Sequence, residues 1–223
     1  MNADDPATSP WGNVRRRRAN QFPEKREAVL SAAASLFRRK GYEGGSLSDL
    51  AEILNVTKPT LYYYVGSKDQ LFSEIVTRVH DEMIEYIKAA MEKNMSGAEM
   101  LREVLIRYFH TITSDFGACI ALATGQIAPE IDRQIKSRAR AANDLVYQIL
   151  LKGQKDGTLN VQDPSIVIQT IIGALNWSPR WYKPSGRVAP HEAAAMQVDI
   201  LMNGIRSDRT PRPSPRQPRT RQP

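Results

Sequence analysis

The sequence holds few of the residues on which enzymatic and metal chemistry usually rests. Cys119 is the single cysteine, which excludes an intrachain disulfide and any multi-cysteine metal site. The three histidines, His80, His110 and His191, have no metal-ligand spacing with carboxylates. There is no glycine-rich phosphate loop, no nucleophile elbow and no other nucleophile-plus-base signature, so a helical enzyme has no catalytic residues to stand on and no cofactor is expected. No apolar run approaches the roughly 18–20 residues that span a bilayer. No apolar segment follows the basic residues near the N-terminus, as a secretory signal requires. The expectation is a cytoplasmic protein in a reducing compartment, with no membrane partner.

What is present points to helices. The 13 glycines and 14 prolines gather at the ends and between long periodic stretches, and 41% hydrophobic residues can fill a core over 223 residues. The net charge of +7 is carried by the two ends. Arg15, Arg16, Arg17 and Arg18 outweigh Asp4 and Asp5 in the first twenty residues. Arg206, Arg209, Arg212, Arg216, Arg219 and Arg221 outweigh Asp208 in the last eighteen, which leaves residues 21–205 formally neutral. Basic ends on a neutral body suit a polyanion such as DNA, because neutralised phosphates release counterions; simple solubility is an equally good reading of the proline-rich tail.

The chain divides into a disordered basic arm (1–22), a first helical domain (23–72), a larger one (73–206) and a disordered Pro/Arg-rich tail (207–223). Residues 24–40 carry Val29, Leu30, Ala33, Ala34, Leu36 and Phe37 at helical spacing, end in Arg38, Arg39 and Lys40, and stop at Gly41. Ser46 with Asp49 reads as a capping pair for a short second helix, closed at Asn55. Thr57 caps a third short helix with Pro59 in its first turn. Ser67 and Gln70 box a long fourth helix bearing Leu71, Ile75, Val79, Met83 and Ile87. Further helices are predicted over 98–113, 129–154, 164–181 and 190–206, with a short one near 118–123.

Two short helices on a tight turn, preceded by a packing helix, form a layout that lays the second of them in a DNA major groove. With Leu61, Val65 and Val56 turned inward, Lys58, Thr60, Tyr62, Tyr63 and Tyr64 face outward with a cation and hydroxyls for phosphates or base edges. Tyr62, Tyr63 and Tyr64 point about 100° apart, so they cannot all be buried.

The run Gly41-Tyr42, then Ser46 through Ala51, Asn55 through Val65 and Ser67 through Leu71, resembles the DNA-binding domain of the TetR (tetracycline-repressor) family. The resemblance implies an all-α fold, with an N-terminal three-helix helix-turn-helix domain and a larger C-terminal ligand-binding and dimerisation domain. It implies that Lys58, Pro59, Thr60 and Tyr62 lie near bases and that Tyr63, Tyr64 and Lys68 meet phosphates. Ser48 and Thr57 complete the DNA-facing set. Asn55 stands where the family usually has glycine, which is tolerable because Asn visits left-handed conformations; Gly44-Gly45 loosens the entry to helix two.

In the second domain, residues 163–175 are apolar nearly all round, and the last helix repeats Ala194, Val198, Leu201 and Ile205. The resemblance implies that these two helices pair with their copies in a homodimer that reads two half-sites of a palindromic operator. The run Asn176-Trp-Ser-Pro-Arg-Trp-Tyr-Lys-Pro184 resembles regulators of fatty-acid, steroid and aromatic-acid catabolism, several of which respond to acyl-CoA thioesters. Arg180 beside Trp177 and Trp181 then becomes a candidate for a phosphate or an adenine ring, the other reading being interface packing for the tryptophans and an ion pair for Arg180. Asn176 of the same run joins them, and Arg107, His110, Thr113, Gln126 and Tyr147 complete the candidate ligand set, as polar groups on otherwise apolar helices. The expected function is a ligand-released repressor; the alternative is a non-specific architectural DNA-binding protein.

Overall fold

The computed structural model describes residues 10–123 and 127–204, with residues 10–22 described by backbone alone. The described residues form ten helices and no extended strand: α1 (Pro10–Gly44), α2 (Leu47–Ile53), α3 (Lys58–Tyr64), α4 (Lys68–Met91), α5 (Gly97–Thr113), α6 (Asp115–Ala121), α7 (Pro129–Lys155), α8 (Pro164–Asn176), α9 (Ser178–Trp181) and α10 (Pro190–Asn203). The helix starts follow the local chemistry. Ser46, Thr57, Ser67 and Ser96 each accept a hydrogen bond from the backbone N–H three residues on.

Two differences from the sequence reading stand out. The backbone of residues 10–22, expected to be irregular, is helical from Pro10 onward. A lack of apolar periodicity does not bar a helical backbone, since Arg and Ala favour helix; Gly41, at φ 74° and ψ 167°, ends the long helix where the sequence places its stop. The single helix expected over 164–181 is two, because Pro179 restarts the chain in the first turn of α9.

Packing is organised around two cores, and α4 runs through both. The first gathers Leu30, Ala33 and Phe37 of α1, Leu50 of α2, Leu61 of α3, and Leu71, Phe72 and Ile75 of α4. It also takes Cys119 of α6 and Ile131 of α7, so the packing runs past residue 72 into the second half of the chain. At its centre Phe72 stacks obliquely on Tyr42 (ring centroids 4.7 Å apart) and edge-on to Phe37 (5.7 Å); each such buried ring contributes roughly 1.5–3 kcal/mol. The second core joins Met83 and Ile87 of α4 with Leu101, Leu105 and Phe109 of α5, Ile149 of α7, Ile171 and Leu175 of α8 and Val198 of α10. Ion pairs tie α1 to the rest: Arg26 to Glu74 and Arg78 to Glu27, both across to α4, and Arg38 to Asp115 of α6. The tail after residue 204 and Ile205 lie outside the described residues.

Candidate nucleic-acid interface and inner cavity

The helix-turn-helix is set by short-range bonds. The Ser46 Oγ accepts from the Asp49 N–H (3.1 Å) and the Asp49 carboxylate accepts from the Ser46 N–H (2.9 Å). Lys40 reaches the same carboxylate at 2.7 Å. The Lys40 bond first, and then those from Ser46, hold the Asp49 carboxyl well below the usual carboxylate range. Asn55 adopts φ 51°, the left-handed conformation that turns the chain between α2 and α3. Thr57 then caps α3 and shares a hydroxyl contact with Thr60 at 2.8 Å.

Leu61 and Val65 point into the core, whereas Lys58, Pro59 and Thr60 are exposed. Tyr62 is 53% and Tyr63 73% exposed, and Tyr64 is half-buried with its ring edge-on to Tyr63. Val56, expected to turn inward, is 39% exposed: it sits at the turn, ahead of the stripe that Leu61 begins. Ser48 is half-buried on α2. Lys68, expected to meet a phosphate, is half-buried at the start of α4. Its ammonium donates to the Tyr42 carbonyl at 2.9 Å and lies 4.5 Å from the Tyr42 ring centroid, so it serves to join the end of α1 to the start of α4.

A cavity of about 350 Å³ opens between α4, α5, α6, α7 and α8. Val79, Met83, Leu105, Ile120, Val146 and Ile171 are among its apolar walls, and its polar groups are His80, Tyr108, Thr111, Asn143 and Asn176. The Tyr108 hydroxyl donates to Asn176 Oδ1 at 2.6 Å, and burial pushes that phenol up to about 12. Burial holds the His80 imidazole below its ordinary value.

Of the ligand residues expected from sequence, only Asn176 lines this cavity among the described residues. On α5 the cavity face is Val104, Leu105, Tyr108, Thr111 and Ile112, and helical spacing turns Arg107, His110 and Thr113 away from it. Arg107 is exposed, its guanidinium 5.4 Å from the Tyr86 ring centroid. His110 is half-buried with its ring edge-on to Phe109, and the Thr113 hydroxyl is used on the Phe109 carbonyl at 2.7 Å. Tyr147 packs half-buried against the second core. Gln126 lies outside the described residues. Arg180 and Trp177 are brought together on the surface, with the guanidinium 4.4 Å from the indole centroid. A groove of about 460 Å³ beside them is lined by Trp181, Tyr182, Lys183, Arg187, Met196 and Ile200. The sequence reading missed His80, Tyr108, Thr111 and Asn143. Their signal was a polar residue on the buried stripe of a long helix, at position 80 between Val76 and Met83.

The same helices that wall the cavity touch the first core. On α6, Gly117, Ile120 and Ala121 line the cavity while Cys119 is buried among residues of the headpiece; burial pushes its thiol up to about 12, which makes it an inert packing group. Arg38 of α1 bonds Asp115 at the start of α6 (2.8 Å), and the guanidinium of Arg78 lies 4.9 Å from the Phe116 ring centroid. On the far side, Ile166, Trp177, Met196 and Ile200 of α8, α9 and α10 form an exposed apolar face, with open space at Gly173.

Two family models match the chain: one described as "Tetracyclin repressor-like, C-terminal domain" over residues 94–205, and one described as "Bacterial regulatory proteins, tetR family" over residues 29–75. Two relatives from Mycolicibacterium smegmatis are similar along most of the chain. The HTH-type transcriptional activator FasR is 23% identical over 182 residues, covering 80% of this chain and 82% of FasR. The HTH-type transcriptional repressor KstR2 is 22% identical over 191 residues, covering 83% and 93%. Among solved structures, AibR in complex with isovaleryl coenzyme A and operator DNA superposes with a TM-score of 0.65 at 25% identity, covering 79% of this chain and 97% of that one.

Proposed function

The chain belongs to the TetR family of DNA-binding transcriptional regulators, which are not enzymes, and on that premise we propose that it is a homodimeric repressor released from a palindromic operator when a lipophilic effector fills the cavity between α4 and α8. The observation that carries this reading is the shared wall. The helices α4 and α6 line the cavity on one side and belong to the headpiece core on the other, so a ligand that changes their packing changes the spacing of the two recognition helices. To take an operator complex from 99% bound to 99% free, the effector must favour the released state roughly 10⁴-fold, about 5.5 kcal/mol.

Dimerisation is supported by the exposed apolar face of Ile166, Trp177, Met196 and Ile200. Covering it with a second copy buries those side chains and presents two α3 helices to half-sites about one DNA turn apart. The repressor mode is supported by the similarity to KstR2, and the FasR similarity makes activation the second reading. An acyl-CoA as effector is supported by the AibR similarity and by Arg180 stacked on Trp177 at the surface next to Asn176, where a guanidinium can meet a phosphate while the acyl chain enters the cavity. Architectural DNA binding, which the basic ends favour, predicts equal affinity for operator and random DNA at fixed salt.

The test is operator release, read by fluorescence anisotropy, across a panel of acyl-CoAs, free acids and neutral lipophiles, with the wild type and with Ala142→Phe, which places a ring in the cavity. Release by a panel member that Ala142→Phe blocks, with operator binding intact, is the expected result. Release unaffected by Ala142→Phe refutes the cavity as the effector site; release by free acids alone refutes the thioester.

A further inference from the structure

His80 is the one titratable imidazole on the cavity wall, and its ring is fixed. Its Nδ1 lies 2.8 Å from the carbonyl oxygen of Val76, one turn back on α4. A carbonyl oxygen only accepts, so Nδ1 carries the proton, and in the neutral ring Nε2 is left as an acceptor. Burial, the largest influence, and the nearby Arg138 guanidinium favour that neutral ring and outweigh the Val76 bond and Asp81, which act the other way.

The other polar groups of the cavity differ from this one in kind. Tyr108, Asn176, Asn143 and Thr111 can all accept, but each also carries a donor, that of Tyr108 being given to Asn176 Oδ1, whereas the neutral His80 ring offers a partner at Nε2 an acceptor only. No lysine, arginine, aspartate or glutamate lines the cavity among the described residues. A carboxylate entering it would lose its hydration with no cation to meet and no donor to offer His80, whereas a hydroxyl would satisfy Nε2 and leave the rest of the ligand against apolar walls.

We propose that His80 Nε2 is the hydrogen-bond acceptor that selects the part of the ligand entering the cavity: an uncharged, apolar body bearing a hydroxyl donor. The inference rests on the reading of the cavity as the effector site, and it names the chemistry of the part that is enclosed. It also gives the effector a hold on the helix that runs into the headpiece, because the His80 ring is itself hydrogen-bonded to Val76, a first-core residue.

The test uses the full chain and three probes of matched length, 1-decanol, 1-methoxynonane and decanoate, titrated calorimetrically at pH 7.5. In the wild type, the alcohol is expected to bind at least about tenfold more tightly than the ether or the carboxylate, the penalty for leaving a buried acceptor unmade. In His80→Leu, alcohol and ether should bind within about threefold of each other; His80→Gln, which keeps an acceptor oxygen, should retain most of the preference and guards against a folding defect in the leucine variant. Equal affinities in the wild type, a preference for decanoate, no binding of any probe, or an alcohol preference that survives His80→Leu would each overturn the proposal. Operator affinity measured in the same samples separates the two readings. If decanol binds in a His80-dependent way and Ala142→Phe blocks it, yet operator affinity never changes, the cavity chemistry stands and the effector role falls.

Discussion

Asn55 carries the turn of the helix-turn-helix in a conformation that ordinary side chains avoid. At φ 51° it is the only non-glycine residue with positive φ among the described residues, and two bonds depend on it: Asn55 N–H to the Glu52 carbonyl (3.1 Å) and Val56 N–H to the Ala51 carbonyl (3.0 Å). An L-residue with a Cβ pays roughly 1–2 kcal/mol in this region, Asn less because its short polar side chain compensates locally. Asn55→Ala is therefore expected to cost about 1 kcal/mol, a fall in Tm of roughly 2–4 °C for a chain of this size. Asn55→Gly removes the strain but gives the unfolded chain about 0.4–1 kcal/mol of extra entropy, so the two effects nearly cancel. Circular-dichroism melts of the three proteins, with operator titrations in parallel, read this directly. The alanine variant should be less stable and bind operator more weakly, while the glycine variant should match the wild type. An alanine variant as stable as the glycine variant would show that the turn does not need the left-handed residue, and the account of how α3 is aimed would fail with it.

The exposed positions on α3 should separate binding from folding: Lys58→Ala or Tyr62→Ala is expected to cost roughly 1–3 kcal/mol of operator affinity in anisotropy titrations, with no change in Tm. Ile200, 72% exposed on the apolar face of α10, should be buried in the dimer, so Ile200→Glu is expected to shift the sedimentation coefficient to that of a monomer and to abolish operator binding while leaving helix content unchanged. His80 predicts a pH dependence: its folded value lies below the ordinary 6.5 through burial, so the unfolded chain takes up the proton first. Its stabilising contribution is full above about pH 6.5 and is lost as pH falls toward the folded value. Denaturant melts between pH 7.5 and 5 should show a shallower acid decline in His80→Gln than in the wild type, with His110, lowered by burial too, the same in both.

What was legible in the sequence was local. The caps at Ser46, Thr57 and Ser67, the stop at Gly41 and the turn at Asn55 depend on residues within a few positions of one another, and each is where the sequence places it. The stripe through Leu71, Ile75, Met83 and Ile87 identified α4 because a long amphipathic helix writes its buried face at a fixed period. The cavity was not legible in the same way. His80, Tyr108, Asn143 and Asn176 come from four helices and meet only in three dimensions; Asn176 was found because it opens the run through Pro184 that carries a family resemblance. Lys68 illustrates the same limit. Its partner, the carbonyl of Tyr42, is 26 residues away, so the bond shows only once the end of α1 is set beside the start of α4.

The geometry of α6 explains why the cavity and the headpiece are not independent. The helix has seven residues, too few to flex along its length, and it sits directly on the end of α5, where a Cβ at Gly117 would collide with the backbone of Thr111 and Ile112. One face carries Cys119 into the first core and the other presents Ile120 and Ala121 to the cavity. Close-packed interiors have little compressibility, so a ligand large enough to press on Ile120 cannot be absorbed within α6. Displacement of the helix would bear on α1, to which Asp115 is tied through Arg38, and on α4, which contributes His80 and Met83 to the same wall. On the proposed function either movement would reach the headpiece, because Phe37 of α1 and Phe72 of α4 meet in its core.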